Sequence, residues 1–196
     1  MKSPLRYQIT EFDCGAISLT NCLIYLFERE EIPAELIRNI NLYTLDCYDE
    51  KGNLGQKGTS REAVKFISRW ITDYSKNRDF GVKFQYLEKD KVSLDVIEKC
   101  LKKGGCVNLR TYLECDHYVT LTGVDKDYIY LFDPYYEPVE DYKNDEFVEI
   151  NYENPFKYNK KVKKERFTSD KKLDFALGPV ELRECVLVTK KKRKEV

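Results

Sequence analysis

A cysteine at the start of a predicted helix is the first group in this chain that could act as a nucleophile. Cys14 follows a polar stretch, and apolar residues then recur every three to four positions, which predicts an amphipathic helix over residues 13–29. Either Asp13 caps this helix, or Thr10 and Asp13 form a pair like a capping box one turn earlier. Both arrangements place the Cys14 sulfur in the first turn, where the helix dipole stabilises a thiolate by roughly 0.3–2 kcal/mol.

The chain has one histidine to serve as a base for that thiolate. His117 lies in an alternating stretch, residues 114–123, that predicts a half-buried strand, and a second strand ends just before Asp133. If a three-residue loop at 124–126 joins these strands as a hairpin, residues whose numbers sum to 250 face each other. His117 is then opposite Asp133, and opposed side chains lie about 4.5–5.5 Å apart at Cβ. We therefore predict Cys14 as nucleophile, His117 as base and Asp133 as its orienting residue.

Gln8, about one turn upstream of Cys14, supplies a fourth part. Attack of a thiolate on a carbonyl builds an oxyanion, and the loss of one donor to that oxyanion costs roughly 10²–10³ in rate. The backbone N–H of Cys14 and the side-chain amide of Gln8 are the two predicted donors. This chemistry requires neither a metal nor another cofactor, and we predict none.

Four pieces of this pattern together resemble the bacteriocin-processing cysteine peptidase domain: Gln8, the Asp13-Cys14-Gly15 motif, His117 in an apolar strand, and Asp133-Pro134. The resemblance covers roughly residues 6–135 and includes Gly58-Thr59-Ser60 at the start of a later helix. It implies a papain-like fold, cleavage of a leader peptide after Gly-Gly, and the roles already given to the four residues. Family members are usually fused to peptide exporters, so the expected partners are a peptide or protein substrate and an exporter. The 196 residues contain no exporter helices or ATPase, and we expect a stand-alone peptidase.

The elements that must position these residues segregate along the chain. Helices are predicted over 13–29, from 32 to 38, from Thr59 or Ser60 to 71, and over 93–101; strands are predicted over 82–87, 106–110, 114–123, 128–132 and 184–189. Helices before strands predict an α+β fold with N-terminal helices packed on a mainly antiparallel sheet. We expect one domain, 1–196, in which residues 136–196 form a charged C-terminal extension. Within it, 137–153 is acidic and 157–172 basic, a solvated excursion before the closing strand, and 190–195 is a frayed tail.

The amino-acid composition limits the partners and the cellular compartment expected for this domain. Acidic and basic residues balance at 34 each, so no overall charge draws the protein to nucleic acid or membrane. The 42% of apolar residues suffices for a core, but no apolar run approaches the roughly 18 residues of a membrane span. The N-terminus lacks a signal-peptide pattern, and seven cysteines suggest reduced thiols. We predict a cytoplasmic protein.

Several other interpretations remain open at this stage. Asp116 is the alternative orienting residue, although a strand neighbour of His117 points to the other face. A metal site from Cys106, Cys115 and His117 is the rival use of these side chains. A glycine-rich phosphate loop within 41–58 and a nucleic-acid-binding basic arm are weaker alternatives. The same constellation also serves papain-like acyltransferases and transglutaminases, or an idle module that grips a leader-like peptide.

Overall fold

The computed structural model describes residues 1–191. Its helices are α1 (Cys14–Leu26), α2 (Ala34–Thr44), α3 (Arg61–Arg78), α4 (Leu94–Lys102) and the short α5 (Lys164–Phe167). Its strands are β1 (Val82–Glu88), β2 (Cys106–Leu113), β3 (Cys115–Val124), β4 (Tyr128–Phe132), β5 (Val148–Ile150), β6 (Lys160–Lys163) and β7 (Glu184–Lys190). Within the described range these strands form one antiparallel sheet in the order β1-β7-β2-β3-β4-β6-β5.

The two faces of the sheet are covered by different parts of the chain. Alternating side chains of β2 and β3 divide between the faces, so that Cys106 and Tyr118 join one core while Val107 and Val119 join the other. The first core is completed by α1, α2 and α3, and the second by α4 and segments after β4. The predicted α+β arrangement, with N-terminal helices on an antiparallel sheet, is confirmed.

Helix α1 is buried on nearly every side, rather than exposing the polar face of an amphipathic helix. Two of its buried polar residues, Ser18 and Asn21, are hydrogen bonded inside the protein. The Ser18 hydroxyl donates to the Tyr118 carbonyl at 2.8 Å, and the Thr120 hydroxyl donates to the Ser18 carbonyl at 3.0 Å. Asn21 bonds both the N–H and the carbonyl of Arg6, at 2.8 and 2.9 Å. These bonds offset the cost of burying polar groups and hold α1 against β3.

The register predicted for the hairpin is wrong by about two residues. Thr120 pairs with Phe132, a sum of 252, and an irregularity between Leu121 and Gly123 then shifts the pairing by one more residue. The Asp125 carboxylate accepts the N–H groups of residues 127 and 128 at 2.8 and 2.7 Å, which places the turn at 125–127. His117 and Asp133 are therefore not directly opposed in the β3–β4 pair.

The prediction that 137–172 is a solvated excursion is also wrong. This segment contributes β5, β6 and α5, and Phe167 and Lys160 are fully buried. Its acidic and basic halves do offset each other across the β5–β6 pair, where Glu149 and Lys161 approach to 3.4 Å. Backbone pairing of β5 with β6 thus brings the two halves together, and burial of side chains such as Phe167 beneath them orders the segment.

The last strand, β7, extends the predicted closing strand but lies inside the sheet, between β1 and β2. Lys190 ends this strand rather than starting a frayed tail, and residues 192–195 of that predicted tail lie outside the described residues. In the range 1–191, no helix is both long enough and apolar enough to cross a membrane.

Candidate active site

Cys14 is the first residue of α1, with Asp13 at the N-cap position. The Asp13 side chain does not cap the helix; its carboxylate accepts the backbone N–H and the hydroxyl of Thr10 at 3.2 and 3.1 Å. Of the two predicted arrangements, the Thr10–Asp13 pair is the one present. The first-turn N–H groups therefore have no carboxylate from Asp13 to neutralise them, and their positive potential is available to the Cys14 sulfur.

The residue after Cys14 has to be glycine because another segment packs against it. A Cβ atom built on Gly15 would lie 2.5 Å from the Thr59 hydroxyl oxygen and 2.7 Å from its Cβ. The next residue, Ser60, caps α3 by accepting the Ala63 N–H at 3.1 Å. The two motifs of the sequence resemblance, one around Cys14 and one at 58–60, thus meet in space.

His117 lies between Cys14 and Asp133. Its Nε2 atom is 2.6 Å from Asp133 Oδ1, and the Cys14 thiol lies near enough to the ring to raise the pKa of His117. Since Asp133 occupies Nε2, the other ring nitrogen, Nδ1, is left for the thiol. Cys14 is 8% exposed, His117 5% and Asp133 0%, so the three groups meet in a nearly dry site with the sulfur at its edge.

Burial and charge compete in setting the pKa of each buried partner. Burial lowers the pKa of His117, but the charge and hydrogen bond of Asp133, followed by those of Cys14, outweigh burial and raise it to about 10. Burial raises the pKa of Asp133, but the charges of Lys160 and His117 and their hydrogen bonds lower it to about 2. At neutral pH the pair is therefore an imidazolium hydrogen bonded to a carboxylate.

Asp133 is held by residues that the sequence analysis did not single out. Lys160, fully buried on β6, donates to Asp133 Oδ2 at 2.6 Å, and the Tyr135 N–H donates to Oδ1 at 2.9 Å. The Asn159 side chain accepts the Asp133 N–H and donates to the Asp133 carbonyl, both at 2.8 Å. Nothing in the local pattern distinguishes Lys160 from the other lysines around it. Only the pairing of β6 with β4 brings it to the site.

Gln8 lies beside these groups, on the cleft that His117 also lines. Its backbone N–H donates to the Pro134 carbonyl at 2.9 Å, which ties the segment before Cys14 to the segment after Asp133. Its side-chain N–H donates to the Thr10 carbonyl at 2.8 Å. One amide hydrogen is thus used to orient the side chain, and the second remains to serve as a donor.

The rival side chains lie elsewhere. Asp116 is bonded to Arg110 rather than to His117. Cys106 is fully buried and donates its thiol to the Cys22 carbonyl at 3.6 Å, whereas Cys115 is exposed at the cleft. Among residues 1–191, no group of three acidic, cysteine or histidine side chains is arranged to hold a metal ion. All seven cysteines are free.

A cleft of about 810 Å³ opens next to His117. Among residues 1–191, its lining includes six carboxylates and no lysine or arginine: Glu11, Glu114, Glu137, Asp141, Asp145 and Asp174. Two of them are paired from behind, Glu137 with Lys160 at 2.5 Å and Asp145 with Arg166 at 3.3 Å. Burial is the main cause that raises the pKa of Asp174, with the Glu114 and Asp145 charges adding to it. The cleft consequently presents a negative potential beside His117.

No family model matches the chain, and no curated protein matches it. Two solved structures are similar to nearly all of it. One, described as a double glycine motif protease from an AMS/PCAT transporter in complex with the leader peptide, is 14% identical, covers 96% of this chain and 91% of its own, and has a TM-score of 0.45. The other, described as a C39-like peptidase from Bacillus anthracis, is 16% identical, covers 96% of each chain, and has a TM-score of 0.49.

Proposed function

We propose that the protein is a cysteine peptidase that hydrolyses a peptide bond with Cys14, His117 and Asp133. The observation that supports this most directly is the position of the imidazole, whose Nε2 is 2.6 Å from Asp133 Oδ1 while the Cys14 thiol lies near enough to the ring to raise its pKa. A buried carboxylate by itself would also suit a structural histidine, but the free Cys14 thiol at the start of a helix on the other side of the ring would then have no role. A nucleophile, its base and the orienting group of that base require this arrangement.

The proposed reaction begins with the thiolate–imidazolium pair. The Cys14 sulfur attacks the scissile carbonyl carbon, and the backbone N–H of Cys14 and the second amide hydrogen of Gln8 donate to the resulting oxyanion. His117 then gives its proton to the leaving amine as the C–N bond breaks and a thioester forms. In the second half His117 takes a proton from water, the hydroxide attacks the thioester, and the acid product leaves while Cys14 is restored. Asp133 keeps the imidazole oriented throughout.

The proposed substrate is a peptide, with cleavage after Gly-Gly as the sequence resemblance implies. A glycine pair suits a nucleophile as buried as Cys14, which is only 8% exposed, because a residue without a side chain lets its carbonyl approach a recessed group. An exporter is the partner that the same resemblance implies, and a cytoplasmic setting fits seven free cysteines. Neither the exporter nor the cytoplasmic setting affects the chemistry of the site.

The test is cleavage of a set of synthetic leader-like peptides that end in Gly-Gly-X, analysed by mass spectrometry. We expect cleavage by the natural chain and none by the Cys14→Ala variant, which should keep its circular dichroism spectrum and melting temperature. Cys47→Ala is the matched control, since Cys47 lies on the 45–58 loop outside the triad, and it should cleave like the natural chain. Products carrying an added amine instead of a free carboxylate would indicate acyl transfer, and uncleaved but bound peptide would indicate an idle binding module.

Cleavage that persists in Cys14→Ala would refute the proposal. So would a natural chain in which iodoacetamide modifies Cys14 at pH 6 no faster than it modifies Cys47 of the same molecule, since an ordinary thiol has a pKa of about 8.5 and an activated one reacts well below pH 8.

A further inference from the structure

A lysine with no exposed surface lies behind the site, in a segment outside the resemblance to the peptidase family. Lys160 donates to Asp133 Oδ2 at 2.6 Å and to Glu137 Oε2 at 2.5 Å. Its ammonium group also lies over the ring of Phe175, 4.7 Å from the centroid, and near the ring of Tyr142 at 5.7 Å. Burying a lysine is costly unless its charge is fully compensated, and here two carboxylates and two aromatic faces compensate it.

We propose that Lys160 is a positioning residue of the active site, which holds the Asp133 carboxylate in the orientation that His117 requires. The inference rests on the proposed function of Cys14, His117 and Asp133. It assigns a role in that site to the charged C-terminal segment, which the sequence pattern leaves unexplained.

The two carboxylate oxygens of Asp133 have different hydrogen-bond partners. Oδ1 receives the His117 Nε2–H at 2.6 Å and the Tyr135 N–H at 2.9 Å, while Oδ2 receives the Lys160 ammonium at 2.6 Å. Rotation of the carboxylate would break bonds at both oxygens at once. Because Asn159 also holds the N–H and the carbonyl of Asp133, both at 2.8 Å, neither the side chain nor the backbone of Asp133 is free to turn.

The charges around Lys160 alternate from the cleft to the thiol. Glu137 is negative, Lys160 positive, Asp133 negative and His117 positive, so that each buried charge has an opposite neighbour. The titratable groups that interact with this chain from the surrounding segments include Cys14, Cys115, Tyr7, Tyr142 and Tyr152. Removal of Lys160 would leave two buried carboxylates close together, and one of them would bind a proton at a higher pH.

The test follows the rate of Cys14 alkylation by iodoacetamide from pH 4 to pH 9, with modification located by peptide mapping and the folded fraction measured by circular dichroism. The full chain is compared with Lys160→Met, Lys160→Arg and Glu137→Gln. A fourth variant, Lys160→Met/Glu137→Gln, lacks one of the two carboxylates that the ammonium compensates, so it tolerates the loss of Lys160 if the single variant fails to fold.

In the natural chain the pKa of Asp133, about 2, keeps this carboxylate charged over the whole range, so that Asp133 does not itself titrate in the profile. In Lys160→Met and in the double variant Asp133 loses the ammonium that offsets its burial, so its pKa rises, and we expect the rate of Cys14 alkylation between pH 4 and pH 6 to fall relative to the natural chain as Asp133 binds a proton. Lys160→Arg should restore the natural profile in part, and Glu137→Gln should keep it, because the Lys160–Asp133 bond survives.

The proposal would be overturned if Lys160→Met and the double variant showed the same pH profile of Cys14 alkylation as the natural chain, after correction for the folded fraction. That result would show that Lys160 supports the fold alone. An equal fall of the rate in Glu137→Gln would overturn it as well, since it would assign the effect to loss of either buried charge. Failure of the proposed function is separate, because it shows as natural-chain Cys14 reacting no faster at pH 6 than Cys47.

Discussion

Replacement of Asp133 by asparagine should lower the pKa of the only histidine by several units. Asp133 is the largest of the influences that raise the His117 pKa to about 10, while burial lowers it and Cys14 adds a smaller upward effect. A rise from 6.5 to about 10 corresponds to roughly 5 kcal/mol of preference for the charged imidazole, shared between Asp133 and Cys14. Without the carboxylate, burial dominates and favours the neutral ring.

The assay is a proton–carbon NMR titration of the imidazole, in a protein purified without a histidine tag. Since the chain has one histidine, the imidazole signal needs no assignment, and its loss in His117→Gln is the control. We expect the pKa of His117 to be highest in the natural chain, lower in Cys14→Ser, lower again in Asp133→Asn and lowest in Cys14→Ser/Asp133→Asn. The double variant should titrate below 6.5 because only burial then acts on the ring.

Two results would refute this reasoning. A natural chain whose histidine titrates near 6.5 would mean that the buried ion pair between His117 and Asp133 does not exist. An Asp133→Asn variant with the natural pKa would mean that the carboxylate, although 2.6 Å from Nε2, does not control the charge of the ring.

Three further predictions concern packing, the cleft and pH. Gly15→Ala should lower the free energy of unfolding by about 1–3 kcal/mol, because the added methyl overlaps Thr59, and Thr59→Gly in the same chain should recover part of the loss in chemical denaturation. Glu114→Gln/Asp141→Asn should raise KM for peptides that carry lysine or arginine more than for acidic ones, since it removes two exposed carboxylates from the cleft. Stability contributed by the charged His117 should be fully present below pH 6.5 and disappear as pH rises through about 10, as measured by unfolding at successive pH values.

Each of these has a matched control. Glu50→Gln/Asp90→Asn removes two exposed carboxylates away from the cleft and should leave KM unchanged; equal effects of the two double variants would mean that overall charge matters instead of the cleft. In Asp133→Asn the alkaline loss of stability should largely vanish. A Gly15→Ala chain as stable as the natural one would show that Thr59 does not restrict the space beside Cys14.

Much of this fold was predictable because the relevant signals are local. The helix at Cys14, the serine caps of α3 and α4, and the strands around His117 follow from apolar spacing and capping residues that act within one or two turns. The chemical pattern was equally local. A thiol at the start of a helix and a lone histidine leave few alternatives for the nucleophile and its base.

The hairpin register and the place of β7 depended on distant or subtle interactions. A turn built on the Asp125 carboxylate moved the pairing, and Asp133 still reaches His117 because a side-chain contact does not require direct opposition in the sheet. The last strand was recognisable from its apolar alternation, but alternation says nothing of which strands it pairs with, and it pairs with both β1 and β2.

By itself, the sequence determined the reactive groups and the elements that carry them: Cys14 on a helix, His117 on a strand, and Asp133 at the end of the next. Only the tertiary structure decided how Asp133 is held. Lys160 lies on β6, twenty-seven residues after Asp133. A lysine within a run of basic residues gives no indication in the sequence that it is buried. Its environment is made by residues distant in sequence, so its place behind the site exists only in the folded protein.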